Sequence, residues 1–108
     1  MMKKIKFMRI MLFFDLPTET SAQQKAYRKF HKKLIENGFM MEQYSLYSKL
    51  ALNNTVANTV INKIREMSPK EGVVQILTIT EKQYEEIEYI VGEKKDTVIN
   101  TTDRTVVI

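Results

Sequence analysis

From Phe7 to Asp15 apolar side chains fill nearly every position. Met8, Ile10, Leu12 and Phe14 fall on one face of an extended chain, Phe7, Met11 and Phe13 on the other, and Arg9 is the polar interruption before Asp15. Side chains of a strand alternate between faces, so this run predicts a strand covered on at least one side, with its second face able to meet another subunit. Leu16-Pro17-Thr18-Glu19-Thr20 stops it, because Pro17 has no N–H to give a ladder and Thr20 or Ser21 can cap a helix. The period then changes: Ala22, Ala26, Tyr27, Phe30, Leu34 and Ile35 recur at steps of three and four, which predicts an amphipathic helix from Ser21 to Asn37 closed by Gly38 in the left-handed conformation.

Phe39 to Leu52 alternates loosely, which predicts one long bent strand or two short ones breaking near Tyr47 to Lys49. Asn53-Asn54 caps a second amphipathic helix, with Val56, Val60, Ile61, Ile64 and Met67 on its apolar stripe and Ser68-Pro69 at its end. Gly72 opens a strand from Val73 to Thr80, with Val74, Ile76 and Thr78 facing one way and Val73, Gln75, Leu77 and Ile79 the other. Thr80-Glu81-Lys82-Gln83 has the form of a capping box, so a short helix to about Val91 is expected. A polar turn, Gly92 to Asp96, leads to the β-branched segment Thr97 to Ile108, read as a hairpin or interrupted strand.

This order matches an α+β ferredoxin-like βαββαβ sandwich over residues 1–96, two helices packing on one sheet face. The segment 97–108 is surplus to that unit. A surplus strand can pair with the sheet edge of a partner subunit, so a homodimer is expected.

The chain has 108 residues with 44% hydrophobic and 28% charged positions, which suits one globular core and rules out a multi-domain enzyme. The lack of cysteine excludes a disulfide framework, a thiolate zinc site and a cysteine nucleophile. Met1 to Lys6 leads into an apolar run of only about eight residues, far short of a membrane span and without a small-residue cleavage site, so we expect no export, no membrane and a cytoplasmic location. The net charge of +4 is unevenly spread. Residues 1–49 carry ten Lys and Arg against four acids, and the remainder carries seven against nine. Lys25, Arg28, Lys29, Lys32 and Lys33 lie off the apolar stripe of the first helix as a basic ridge, either a solvated face or a surface for a polyanion.

Few residues can carry chemistry. Asp15 ends the buried strand, where its carboxylate can accept from the amides of the following turn or help bind a cation. Alone it is a poor magnesium ligand set, but two copies across a dimer axis would make a plausible one. His31 is the sole histidine, so no histidine cluster can form, and on a helix among lysines it reads as a solvent or phosphate contact. Ser45 and Ser48 have no histidine nearby in sequence, and three scattered glycines make no phosphate loop. Tyr44 and Tyr47 could stack on bases or belong to the core. Two other classes remain beside these readings: a small ferredoxin-like ligand-binding regulatory domain, and a sheet-face RNA-binding module, which would need aromatic residues that Val73 to Thr80 lacks.

The segments Met8 to Asp15 with Leu16-Pro17-Thr18-Glu19-Thr20, Tyr27-Arg28-Lys29-Phe30, Asn37-Gly38-Phe39, Gln43 to Leu50 and Thr80 to Tyr84 together resemble the CRISPR-associated protein 2 family, over nearly the whole chain. The resemblance is to members from systems with a single-protein effector. It implies a ferredoxin-like homodimer held between dimers of the CRISPR-associated protein 1 integrase, with duplex DNA across it during spacer acquisition. It further implies that Asp15 is the catalytic and metal-binding aspartate, two protomers sharing Mg2+ or Mn2+, in an endonuclease acting on RNA or DNA. Many members have Tyr before that Asp, where this chain has Phe14.

Overall fold

The computed structural model describes residues 6–94, so the segment 97–108 and its expected pairing with a partner lie outside the described residues. Seven elements follow in order: β1 (Met8–Asp15), α1 (Ser21–Glu36), β2 (Met40–Gln43), β3 (Leu46–Ala51), α2 (Asn54–Met67), β4 (Val73–Thr80) and α3 (Glu81–Glu85). The strands form one sheet in the order β2-β3-β1-β4, each neighbouring pair antiparallel. This is the ferredoxin-like α+β arrangement the sequence predicts, with β1 in the interior because it is apolar on both faces.

Met8, Ile10, Leu12 and Phe14 point into the layer beneath α1 and α2, where they join Phe30, Leu34, Tyr47, Ala51, Ala57 and Ile64 in the core. The Phe14 ring lies 5.6, 5.5 and 5.4 Å from those of Tyr27, Phe30 and Tyr47, edge-on to the first two and stacked on the third. Thr20 caps α1 through a complete capping box with Gln23, and Asn53 caps α2 by accepting from the Val56 N–H. Gly38 follows α1 at φ +90°, as expected of a left-handed C-cap. No helix among the described residues is long and apolar enough to cross a membrane.

Three expectations need correction. The break in Phe39 to Leu52 falls at Tyr44 and Ser45, and Tyr47 to Lys49 lie within β3. Tyr47 and Ser48 are both buried because helices cover one face of β3 and α3 reaches the other, so the alternation fades where the strand is continuous. The apolar stripe of α1 is narrower than its sequence suggests: Ala22, Ala26 and Ile35 are exposed, and Phe30 and Leu34 supply the burial. Finally, α3 stops at Glu85 rather than near Val91. Tyr84 is its one buried anchor, and Glu85, Glu86 and Glu88 put negative charge at and beyond its C-terminus, where the helix dipole disfavours it.

Candidate functional site

Asp15 is the last residue of β1, paired across the ladder with Val73. Its side chain is exposed although the strand is buried, and among the described residues the carboxylate has no hydrogen-bond or ion-pair partner. The following turn does not donate to it. What holds Asp15 in place is backbone: Gly72, at φ +89°, packs so closely that a Cβ there would sit 2.5 Å from the Asp15 carbonyl oxygen. Among the described residues no three His, Cys, Asp or Glu side chains converge on a metal position. One chain therefore offers a single carboxylate and does not by itself fit a magnesium ion, which needs several oxygen ligands in near-octahedral order.

The basic ridge lies where the helical period puts it, on the outer face of α1. Lys25, Arg28, Lys29 and Lys32 are exposed opposite the buried Phe30 and Leu34, and Lys33 is half-buried at the edge. None of the five is in an ion pair among the described residues, so their charge faces solvent. Lys29 and Lys33 also line an open cleft of about 440 Å3 between α1 and the end of α2, floored by Leu16, Tyr27, Phe30 and Met67. His31 sits on the flank of the ridge, and its Nδ1 is hydrogen-bonded to the hydroxyl of the fully buried Tyr47. Burial, with Tyr27 nearby, pushes the Tyr47 phenol up to about 12, so it stays protonated at neutral pH. The ridge and Asp15 are not brought together, since the ridge caps the helix layer and Asp15 stands at a strand end with the parity of the opposite face.

Sequence reasoning missed a polar network on that opposite face. Glu42 of β2 accepts at Oε2 from Ser48 Oγ at 2.5 Å and from the Tyr84 hydroxyl. Arg9 lies 4.1 Å from the centre of the Tyr84 ring and makes a two-point pair with Glu81, Nε to Oε1 at 2.9 Å and Nη2 to Oε2 at 2.6 Å. Burial opposes the Arg9 charge, but Glu81, with Tyr84 and Glu42 nearby, outweighs it and holds the guanidinium above its ordinary pKa. Burial, then the hydrogen bond and charge of Glu42, raise Tyr84 to about 12. One signal for this network was present in the sequence: an arginine amid the six apolar residues of a central strand demands partners.

A family model described as CRISPR associated protein Cas2 matches residues 8–87, which span every element described above. The chain belongs to the Cas2 family. The CRISPR-associated endoribonuclease Cas2 of Streptococcus mutans UA159 is 46% identical over 99 residues, covering 92% of this chain and 91% of its own. The protein of the same name from Treponema denticola is also 46% identical, over 101 residues and 100% of its length, and that of Ligilactobacillus salivarius is 45% identical over the same span. In this Cas2 chain Phe14, the residue before Asp15, is buried in the aromatic cluster, so its ring faces the core and not the site.

Proposed function

We propose that this Cas2 chain works in CRISPR adaptation as a homodimeric scaffold that holds duplex DNA by its phosphates and bridges two units of the CRISPR-associated protein 1 integrase. The observation that carries the reading is the ridge: five cations within nine residues of one helix, on its solvent face, without acidic partners among the described residues. Lysine and arginine at such a face release counterions when they meet phosphates, without reading base sequence. The exposed apolar residues of the second sheet face, Phe13, Leu50, Val73 and Leu77, suit burial against a second copy. Fluorescence anisotropy with duplex DNA over a salt series tests the reading. The double variant Arg28→Glu/Lys32→Glu should weaken binding and flatten the log–log salt slope by about 2 per protomer, from about −0.9 per phosphate contact. An unchanged affinity and slope would reduce the ridge to a solvated face.

A second reading follows from the name its relatives carry, endoribonuclease, and from the free carboxylate of Asp15. Phosphodiester cleavage with Mg2+ or Mn2+ requires the Asp15 side chains of two copies to share the ion, since one chain supplies too few ligands. Asp15→Asn, repurified and assayed on RNA and DNA in magnesium, should lose cleavage while keeping duplex binding. A variant that cleaves as fast as the parent removes Asp15 from catalysis.

A further inference from the structure

The five tyrosines are treated very differently by the fold. Tyr47 and Tyr84 are buried with their hydroxyls engaged, Tyr27 packs edge-on to Phe14, and Tyr89 is partly exposed. Tyr44 is 85% exposed, the most exposed aromatic side chain among the described residues. It stands at the tip of the β2–β3 hairpin, beside Ser45, whose φ of +66° is the only positive value at a non-glycine residue among those described. Asparagine or glycine would adopt that turn at lower cost, so the backbone is held in a disfavoured conformation at the residue next to the exposed ring.

The position of this tip matters. The Phe14 N–H donates to the Ser45 carbonyl at 3.0 Å, which carries the β1–β3 pairing one step beyond Phe13 and Leu46. Tyr44, one residue before Ser45 in the hairpin turn, and Asp15, one residue beyond Phe14 at the end of β1, therefore lie at the same end of the sheet. A lone carboxylate repels a phosphodiester, so a strand approaching this end needs an uncharged hold, and the face of an aromatic ring is one that every base can use. The residue before the ring, Gln43, is exposed and carries an amide suited to the polar edge of a base. The bases of a continuous duplex are stacked on one another and closed to such contact.

We propose that Tyr44 stacks on an unpaired nucleobase, so that the hairpin tip holds a single strand or a frayed duplex end beside Asp15. This deepens the nucleic-acid reading above and rests on it. The full-length chain is titrated by anisotropy with a labelled single strand of about 12 nucleotides, as DNA and as RNA of the same sequence, and with a blunt duplex. Parent, Tyr44→Ala and Tyr44→Phe are compared. Loss of one stacked base should weaken single-strand binding of Tyr44→Ala on the order of tenfold, leave Tyr44→Phe close to the parent, and spare duplex binding through α1. The DNA and RNA arms show whether the sugar matters. Unchanged melting is expected of both variants because the ring contacts solvent. Single-strand affinity of Tyr44→Ala equal to the parent overturns the inference alone. So does a change in sedimentation, which would make the ring a contact between copies. A parent that binds neither strand nor duplex overturns the inference together with the reading on which it rests.

Discussion

Adding one methyl group at Gly72 should destabilise this protein far more than adding one at Gly92, although both glycines have nearly the same backbone conformation, φ +89° and +87°. Alanine in the left-handed region costs about 1–2 kcal/mol at either position. At Gly92 nothing lies within 4 Å of the new Cβ, so that cost is the whole effect. At Gly72 the Cβ would meet the Asp15 carbonyl oxygen at 2.5 Å, Leu16 Cδ2 at 2.8 Å and Leu16 Cα at 3.1 Å. Two of these contacts are backbone atoms at the end of the central strand and cannot swing aside, so forcing them apart adds about 1–3 kcal/mol. For a domain of this size each kcal/mol lowers the melting temperature by about 4–8 °C. At a middle value of about 6 °C per kcal/mol, Gly92→Ala should therefore melt about 6–12 °C below the parent, and Gly72→Ala about 12–30 °C below it. Thermal denaturation followed by circular dichroism, with parent and both variants in one buffer, measures the difference. Equal melting of the two variants would refute the claim that Gly72 is there because β1 and the entry to β4 approach too closely for a side chain.

Alkaline pH should unfold the protein through Tyr47 and Tyr84, whose phenols titrate at about 12 when folded and at 10.0 when free. The folded state binds these protons more tightly, so the stabilisation is complete below pH 10 and is lost as pH rises toward 12, on the order of 2–3 kcal/mol per residue. Urea denaturation over that range, with phenolate absorbance, checks it; five tyrosines ionising together near 10 in the folded protein would refute it. Tyr84→Phe keeps the ring beneath Arg9 but deletes the hydroxyl that donates to Glu42, and should cost about 2 kcal/mol in urea denaturation, as for a hydrogen bond to a charged acceptor. A loss below about 0.5 kcal/mol would mean that the hydroxyl gains nothing from that carboxylate.

Much of the fold was legible in the sequence because its signals are local. The period of two in Met8 to Asp15, the three-and-four steps of α1 and α2, the boxes Thr20–Gln23 and Thr80–Gln83 and the stop at Gly38 each depend on residues within a few positions of one another. The ridge was legible for the same reason, since helical spacing alone separates Lys25, Arg28, Lys29 and Lys32 from Phe30 and Leu34. The quoted segments around Asp15 and from Gln43 to Leu50 carried the family likeness in the same way.

What tertiary structure decided involves residues far apart in the chain. Whether Tyr44 or Tyr47 is core could not be read from a strand pattern, because the turn falls between them and only the packing of Phe14 and His31 draws Tyr47 inward. The partners of Arg9 lie 72 residues away at Glu81, and Glu42 is 42 residues from Tyr84, so the network exists only once β1, β2, β3 and α3 are assembled. The side chain of Asp15 ends in solvent for a similar reason: burial of a strand belongs to the residues its neighbours cover, and at the last rung Val73 and the close-packed Gly72 cover the backbone and leave the carboxylate free.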